Sequence, residues 1–158
     1  MSELGNILSR AGKEGWAVPH FNISDFEILK AVVEAAVETR APLMIGTSEG
    51  ERNFLGLVEA GALVKSFRDD KKIPIFLNAD HTKSPEAAKK AVDAGYDSIH
   101  IDLSAAAFPQ NIAGTKEVVK YARAKDKNIS VEGELGYLRG ESKVQNEKIQ
   151  IQKIIFSS

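Results

Sequence analysis

The sequence predicts an α/β protein: a partial TIM (β/α)8 barrel of about five parallel strands with intervening helices. Three observations predict it. Apolar runs of strand length alternate with stretches whose apolar residues recur every three or four positions, at roughly 25 to 30 residues per unit, the rhythm of right-handed βαβ crossovers. Each strand-like run also ends in residues that can do chemistry: Asn22, Ser48, Asp80 with His81, Asp102 with Ser104, and Glu132 with Glu134. An open sheet gathers its ligand groups at one switch point, whereas a closed ring draws them from every strand. The third observation is length. The chain has 158 residues, short of the roughly 200 or more that a whole barrel needs. It is therefore expected to be one incomplete barrel domain over 1–158, the first part of the ring. Residues 143–158 form an atypical tail, in which Ile149, Ile151, Ile154, Ile155 and Phe156 have nothing after them to cover them.

In chain order, Leu4, Ile7, Leu8 and Ala11 fall at helical spacing, and Gly12 and Gly15 close that helix. Residues 16–22 read as the first strand. Ser24-Asp25-Phe26-Glu27 has the form of a capping box and opens a helix that stops before Pro42. Leu43-Met44-Ile45 is the second strand, and one helix is expected from about Arg52 to Phe67. Residues 73–77 are an apolar run fitting a strand covered on both faces, with Asn78, Asp80 and His81 at its C-terminal edge. A plainer alternative makes Asp80 the cap of the next helix and His81 a loop residue. Ser84-Pro85-Glu86 starts a helix with Ser as N-cap and Pro at N1, and Gly95 ends it. Residues 96–102 form the fourth strand, Asn111 to Lys125 a helix, and residues 129–136 the fifth strand.

Composition narrows the function. With 43% hydrophobic and 27% charged residues the chain has a globular composition. A net charge of −1 with mixed signs argues against nucleic acid and against an anionic membrane. There is no cysteine, so any metal must be held by His, Asp or Glu. Residues 1–15 lack the apolar core of a signal peptide, so a cytoplasmic protein is expected. Gly46-Thr47-Ser48-Glu49-Gly50 lacks both the Lys-Ser/Thr of a P-loop and the Gly-x-Gly-x-x-Gly of a dinucleotide site. Exposed sheet edges favour association, so a homo-oligomer is expected.

Four segments, in this order, carry a family resemblance: Val18-Pro19-His20-Phe21-Asn22, Leu77-Asn78-Ala79-Asp80-His81, Ile99-His100-Ile101-Asp102-Leu103-Ser104 and Val131-Glu132-Gly133-Glu134-Leu135-Gly136. Together they resemble the N-terminal half of class II, zinc-dependent fructose-bisphosphate aldolases, a family that includes tagatose-bisphosphate enzymes. The resemblance implies reversible aldol cleavage of a phosphorylated ketose through an enediolate, with Zn2+ as cofactor. His81 would be one of three zinc-holding histidines, the other two lying on later strands outside this chain. Asp80 would handle the proton of the substrate's C4 hydroxyl. Asp102 and Glu134 would lie near the metal, able to bind it in an alternative position or to bind a second cation. Asn22 and Ser48 would face the substrate. Glu141 would be the functional acid of the loop after the fifth strand, although Arg139-Gly140-Glu141-Ser142 departs from the family's Gly-Gly-x-Glu-Asp form. His20 and His100 are expected to pack or to support the site. Asp80 and His81 can share a site if the strand has ended there, since inside a regular strand they would face opposite ways. The alternative is a non-catalytic half-barrel that binds a small anion or pairs with another chain.

Overall fold

The computed structural model describes residues 2–136. Five strands alternate with six helices: α1 (Glu3–Glu14), β1 (His20–Asn22), α2 (Phe26–Thr39), β2 (Leu43–Thr47), α3 (Glu49–Leu55), α4 (Leu57–Lys71), β3 (Ile75–Thr82), α5 (Pro85–Asp93), β4 (Ser98–Ile101), α6 (Phe108–Lys125) and β5 (Ser130–Gly133). The strands pair in sequence order, all parallel. That is the wall of a TIM barrel laid down strand by strand, as expected.

Side-chain alternation gives the wall two faces. On one, Leu43, Ile45, Ile75, Leu77, Ile99 and Ile101 are buried with Leu29, Val33, Val64 and Val118 of the covering helices. Each such side chain contributes roughly 1.5–3 kcal/mol by leaving water. On the other face the register aligns Asn22, Gly46, Asn78, Ser98 and Ser130 in one row across all five strands. Polar side chains thus line the face that a barrel turns inward. At the N-terminal end of the strands, Ser2, Glu3 and Leu4 of the α1 region border a hollow with Ile73–Phe76 and Asp97.

Local signals explain most of the boundaries. Gly15 adopts φ 76° and closes α1, and Ser84 caps α5 by accepting from the Ala87 amide at 3.2 Å. Elsewhere the structure corrects the sequence reading. The expected capping box at Ser24 does not form; Asp25 is the N-cap of α2 and its carboxylate accepts from the Ile28 amide, at N3, at 2.7 Å. The single helix expected from Arg52 to Phe67 is two helices, divided at Gly56, whose φ of 87° ends α3 and begins α4. A true capping box stands at Ser48 and Glu51 instead, so the first of these helices starts earlier than its apolar spacing suggested. β1 is also shorter than residues 16–22. Among the described residues no helix is long and apolar enough to cross a membrane.

Candidate active and metal site

The site is built on an irregularity in β3. Ala79 pairs with Ile99 but Thr82 pairs with Ile101, so β3 carries one residue more than β4 between those points. That is a β-bulge, a device that bends a strand and re-aims a side chain. His81 sits in it at φ 43°, a left-handed conformation that costs a non-glycine residue about 1–2 kcal/mol. The strand therefore does not end before Asp80, as the sequence reading had it; it runs on to Thr82. The bulge does what the strand end was expected to do, bringing two adjacent side chains to one mouth.

Arg52 of α3 holds the bulge. Its buried guanidinium donates to the carbonyls of Thr47 and of Asp80, the latter at 3.2 Å, and to Thr82 Oγ1 at 3.1 Å. Thr82 Oγ1 in turn donates to the Ala79 carbonyl at 3.1 Å. The backbone on both sides of His81 is thus fixed by one side chain from a different element.

Asp80 projects into a nest of donors. Its Oδ2 accepts from Asn22 Nδ2 at 2.9 Å, and its Oδ1 lies 3.3 Å from His100 Nδ1. Burial pushes this carboxyl upward, but the hydrogen bonds from His100 and Asn22 and the nearby imidazoles of His81 and His20 outweigh it. The acid is held well below the usual carboxylate range, which favours its ionised form. Asn22 is itself positioned by Glu51 Oε2 at 3.2 Å. Ser48 is the N-cap of α3, its oxygen accepting from the Glu51 amide at 3.4 Å. Gly46 stands between, and a Cβ there would collide with Asn22 Oδ1 and His20 Nε2. A Gly46→Ala variant is therefore expected to keep its unfolding midpoint, because only flexible side-chain ends must yield, while Asn22 is displaced from Asp80. A lowered midpoint would show that backbone, and not only the ends of Asn22 and His20, must yield.

His81 faces two acids. Its Nδ1 is 3.0 Å from Asp102 Oδ2 and 3.5 Å from Glu134 Oε2. Asp102 is also contacted by Lys83 and accepts from the Ser104 amide at 3.1 Å. Against burial, Lys83, Ser104 and His81 together hold it well below its ordinary value. Ligand atoms of Asp80, His81 and His100 lie within 4.8 Å of one another, and so do those of His81, Asp102 and Glu134. Among the described residues, Glu134 Oε2 is buried with no aligned hydrogen-bond donor, His100 Nε2 lying 3.1 Å away as an ion-pair partner. A buried carboxylate oxygen without a donor is costly, and imidazoles with carboxylates are a donor set suited to a divalent ion.

Of the residues picked from the sequence, Asn22, Asp80, His81, Asp102 and Glu134 converge at this mouth. Ser48 reaches its edge through Glu51. Glu141 and the tail 143–158 lie outside the described residues. Of the two places expected for His100, apolar packing or support of the site, the structure gives the second, against Asp80 and Glu134; its place two residues before Asp102 on a strand signals that both share a face. One residue was missed. Arg52 was read only as a helix residue, and nothing local marks it as buried.

Comparison with known proteins agrees with this geometry. The sequence matches the family described as fructose-bisphosphate aldolase class-II over residues 2–155. A fructose-bisphosphate aldolase of Helicobacter pylori is 43% identical over 135 residues, covering 85% of this chain and 43% of that protein. A 6-phospho-5-dehydro-2-deoxy-D-gluconate aldolase of Bacillus licheniformis is 39% identical over 137 residues, with 85% and 46% covered. The chain spans about half the length of the curated relatives it matches. Among solved structures, the YdjI aldolase from Escherichia coli K12 superposes with a TM-score of 0.79 at 28% identity, over 87% of this chain and 52% of that one. With the family match, the sequence identity and the strand order in accord, the chain belongs to the class II fructose-bisphosphate aldolase family.

Proposed function

We propose that this chain carries the metal-binding and proton-handling part of a zinc-dependent aldolase, which reversibly cleaves a ketose bisphosphate to glycerone phosphate and an aldehyde phosphate. The observation that carries the reading is the bulge at Asp80 and His81, which sets a carboxylate beside an imidazole with the spacing that could hold a metal. His81 would hold zinc, with Asp102 and Glu134 able to ligate or to orient it, and two further histidines would come from strands outside this chain. When bound, zinc supplies a Lewis acid for the negative charge that develops on the ketose carbonyl oxygen. Asp80, kept ionised by Asn22 and His100, takes the proton of the C4 hydroxyl as the carbon–carbon bond breaks. It returns that proton in the condensation direction. Asn22 steadies Asp80, and Ser48, whose oxygen is used in the cap, keeps its hydroxyl hydrogen for a substrate oxygen. Glu141, outside the described residues, would supply a further acid by the family resemblance.

The same reading places the protein in the cytoplasm as a homo-oligomer. Among the described residues β1 and β5 are the edges of the sheet, and such edges are completed by further strands or by another chain. The test is release of glycerone phosphate from fructose 1,6-bisphosphate by the zinc-loaded protein, with tagatose 1,6-bisphosphate as the second substrate. Release that disappears on chelation supports the reading. Zinc uptake with no release from either sugar overturns it, and failure of both uptake and release leaves the anion-binding half-barrel.

A further inference from the structure

Lys83 stands at the mouth with no task in the proposed reaction. Its backbone is held in place: the amide donates to Glu49 Oε1 at 2.8 Å, and Thr82 before it is tied to Arg52. From there the side chain, 58% exposed, carries its ammonium onto Oδ2 of Asp102, whose own side chain is only 4% exposed. A cation rooted at the surface thus reaches a buried carboxylate.

The partners of Asp102 can be counted. Oδ1 accepts from the Ser104 amide at 3.1 Å and from the Ser104 hydroxyl at 2.5 Å. Oδ2 meets the Lys83 ammonium and His81 Nδ1, the latter at 3.0 Å. A carboxylate offers about four acceptor positions, and these contacts occupy them. While Lys83 is in place Asp102 has no lone pair for a metal, although His81, Asp102 and Glu134 are close enough together to hold one. Charge acts in the same direction. An ammonium on that oxygen stands where a cation would have to come, and like charges at such range repel strongly away from bulk water. His81 gains from the same contact. With Nδ1 turned to Asp102, its Nε2 is left for a metal, the arrangement in which a carboxylate orients a histidine ligand from behind.

We propose that the Lys83 ammonium is a built-in counter-cation for Asp102, keeping that acid an orienting partner of His81 and shutting divalent ions that prefer oxygen ligands out of the carboxylate side of the mouth. Imidazole suits zinc, whereas carboxylates suit magnesium, calcium and manganese. A mouth that offers imidazole while its nearest acid is already neutralised selects the first kind of ion. The inference rests on the metal-centre reading above and deepens it, since it decides between the ligating and the orienting use of Asp102.

The experiment is Mn2+ binding to the purified chain, read from the paramagnetic resonance of free Mn2+, with zinc uptake measured beside it. The proteins are the wild type, Lys83→Met, Lys83→Gln, Lys83→Arg and the control Lys89→Met, whose ammonium pairs with Glu117. Loss of the like charge should tighten Mn2+ binding at least about 10-fold in Lys83→Met and Lys83→Gln. Lys83→Arg, which keeps the charge, and Lys89→Met should bind as the wild type does. Adding Asp102→Asn to Lys83→Met should abolish the gain, which ties it to that carboxylate rather than to a change in net charge. Equal Mn2+ affinity in the wild type, Lys83→Met and Lys83→Gln, a like gain in Lys83→Arg or Lys89→Met, or a gain that survives Asp102→Asn overturns the inference. Zinc taken up by the wild type with no Mn2+ gain in Lys83→Met would strike the counter-cation and spare the metal centre. An Mn2+ gain that depends on Asp102, with no zinc uptake by the wild type, would do the reverse.

Discussion

Replacing Arg52 by Met is expected to lower the stability of the chain by about 2–4 kcal/mol, the range for stripping buried acceptors of a charged donor. The side chain is only 6% exposed, and it ties the carbonyls of Thr47 and Asp80 to the hydroxyl of Thr82. Its removal leaves the end of β2 and the bulge of β3 without their common partner, while His81 still bears the cost of its left-handed backbone. Relaxation toward a regular strand would turn His81 away from the face that holds Asp80. Urea unfolding should therefore show a lower midpoint, and metal affinity should fall with it. Arg52→Lys should recover little, because one ammonium cannot span acceptors on two strands as a planar fork does. A midpoint unchanged in Arg52→Met would show that the bulge is held by something else.

Asp80→Asn is expected to reduce cleavage of the ketose bisphosphate by about 100- to 10,000-fold, the usual worth of a positioned acid–base group. The amide keeps the shape of the side chain and can still meet His100, but it cannot accept a proton. Metal content should be preserved in this variant, because His81, Asp102 and Glu134 are untouched. The comparison that decides is cleavage rate against bound metal in the same preparation. Full cleavage by Asp80→Asn would discard the proton-transfer role, whereas loss of metal along with activity would make Asp80 a ligand.

Much of this was legible in the residues because local chemistry and tertiary position agreed. Ser84 and Pro85 start α5 as such a pair should, and the polar ends of the strands marked the rim at which Asn22, Asp80, His81, Asp102 and Glu134 gather. The failures have physical causes. Gly56 divides α3 from α4 although the apolar spacing continues across it, because its φ of 87° turns the chain out of the helical path. Asp25 displaces Ser24 as a cap, since either residue could serve and only the path of the backbone decides. The bulge was invisible for a deeper reason. Asp80-His81-Thr82 contains no glycine to announce it, and the group that enforces it, Arg52, lies 28 residues away from Asp80 in the chain. His100, by contrast, was within reach, since Ser98, His100 and Asp102 alternate with Ile99 and Ile101 and so declare one polar face.

Zinc titration of the purified protein against a competing chromophoric chelator tests the core of this account most directly. The wild type is expected to take up one zinc ion per chain, and His81→Ala to take up none at the same free zinc while keeping its fold by circular dichroism. A folded wild type that takes up no zinc, or a His81→Ala variant that binds it as the wild type does, would contradict the assignment of this mouth as a metal centre.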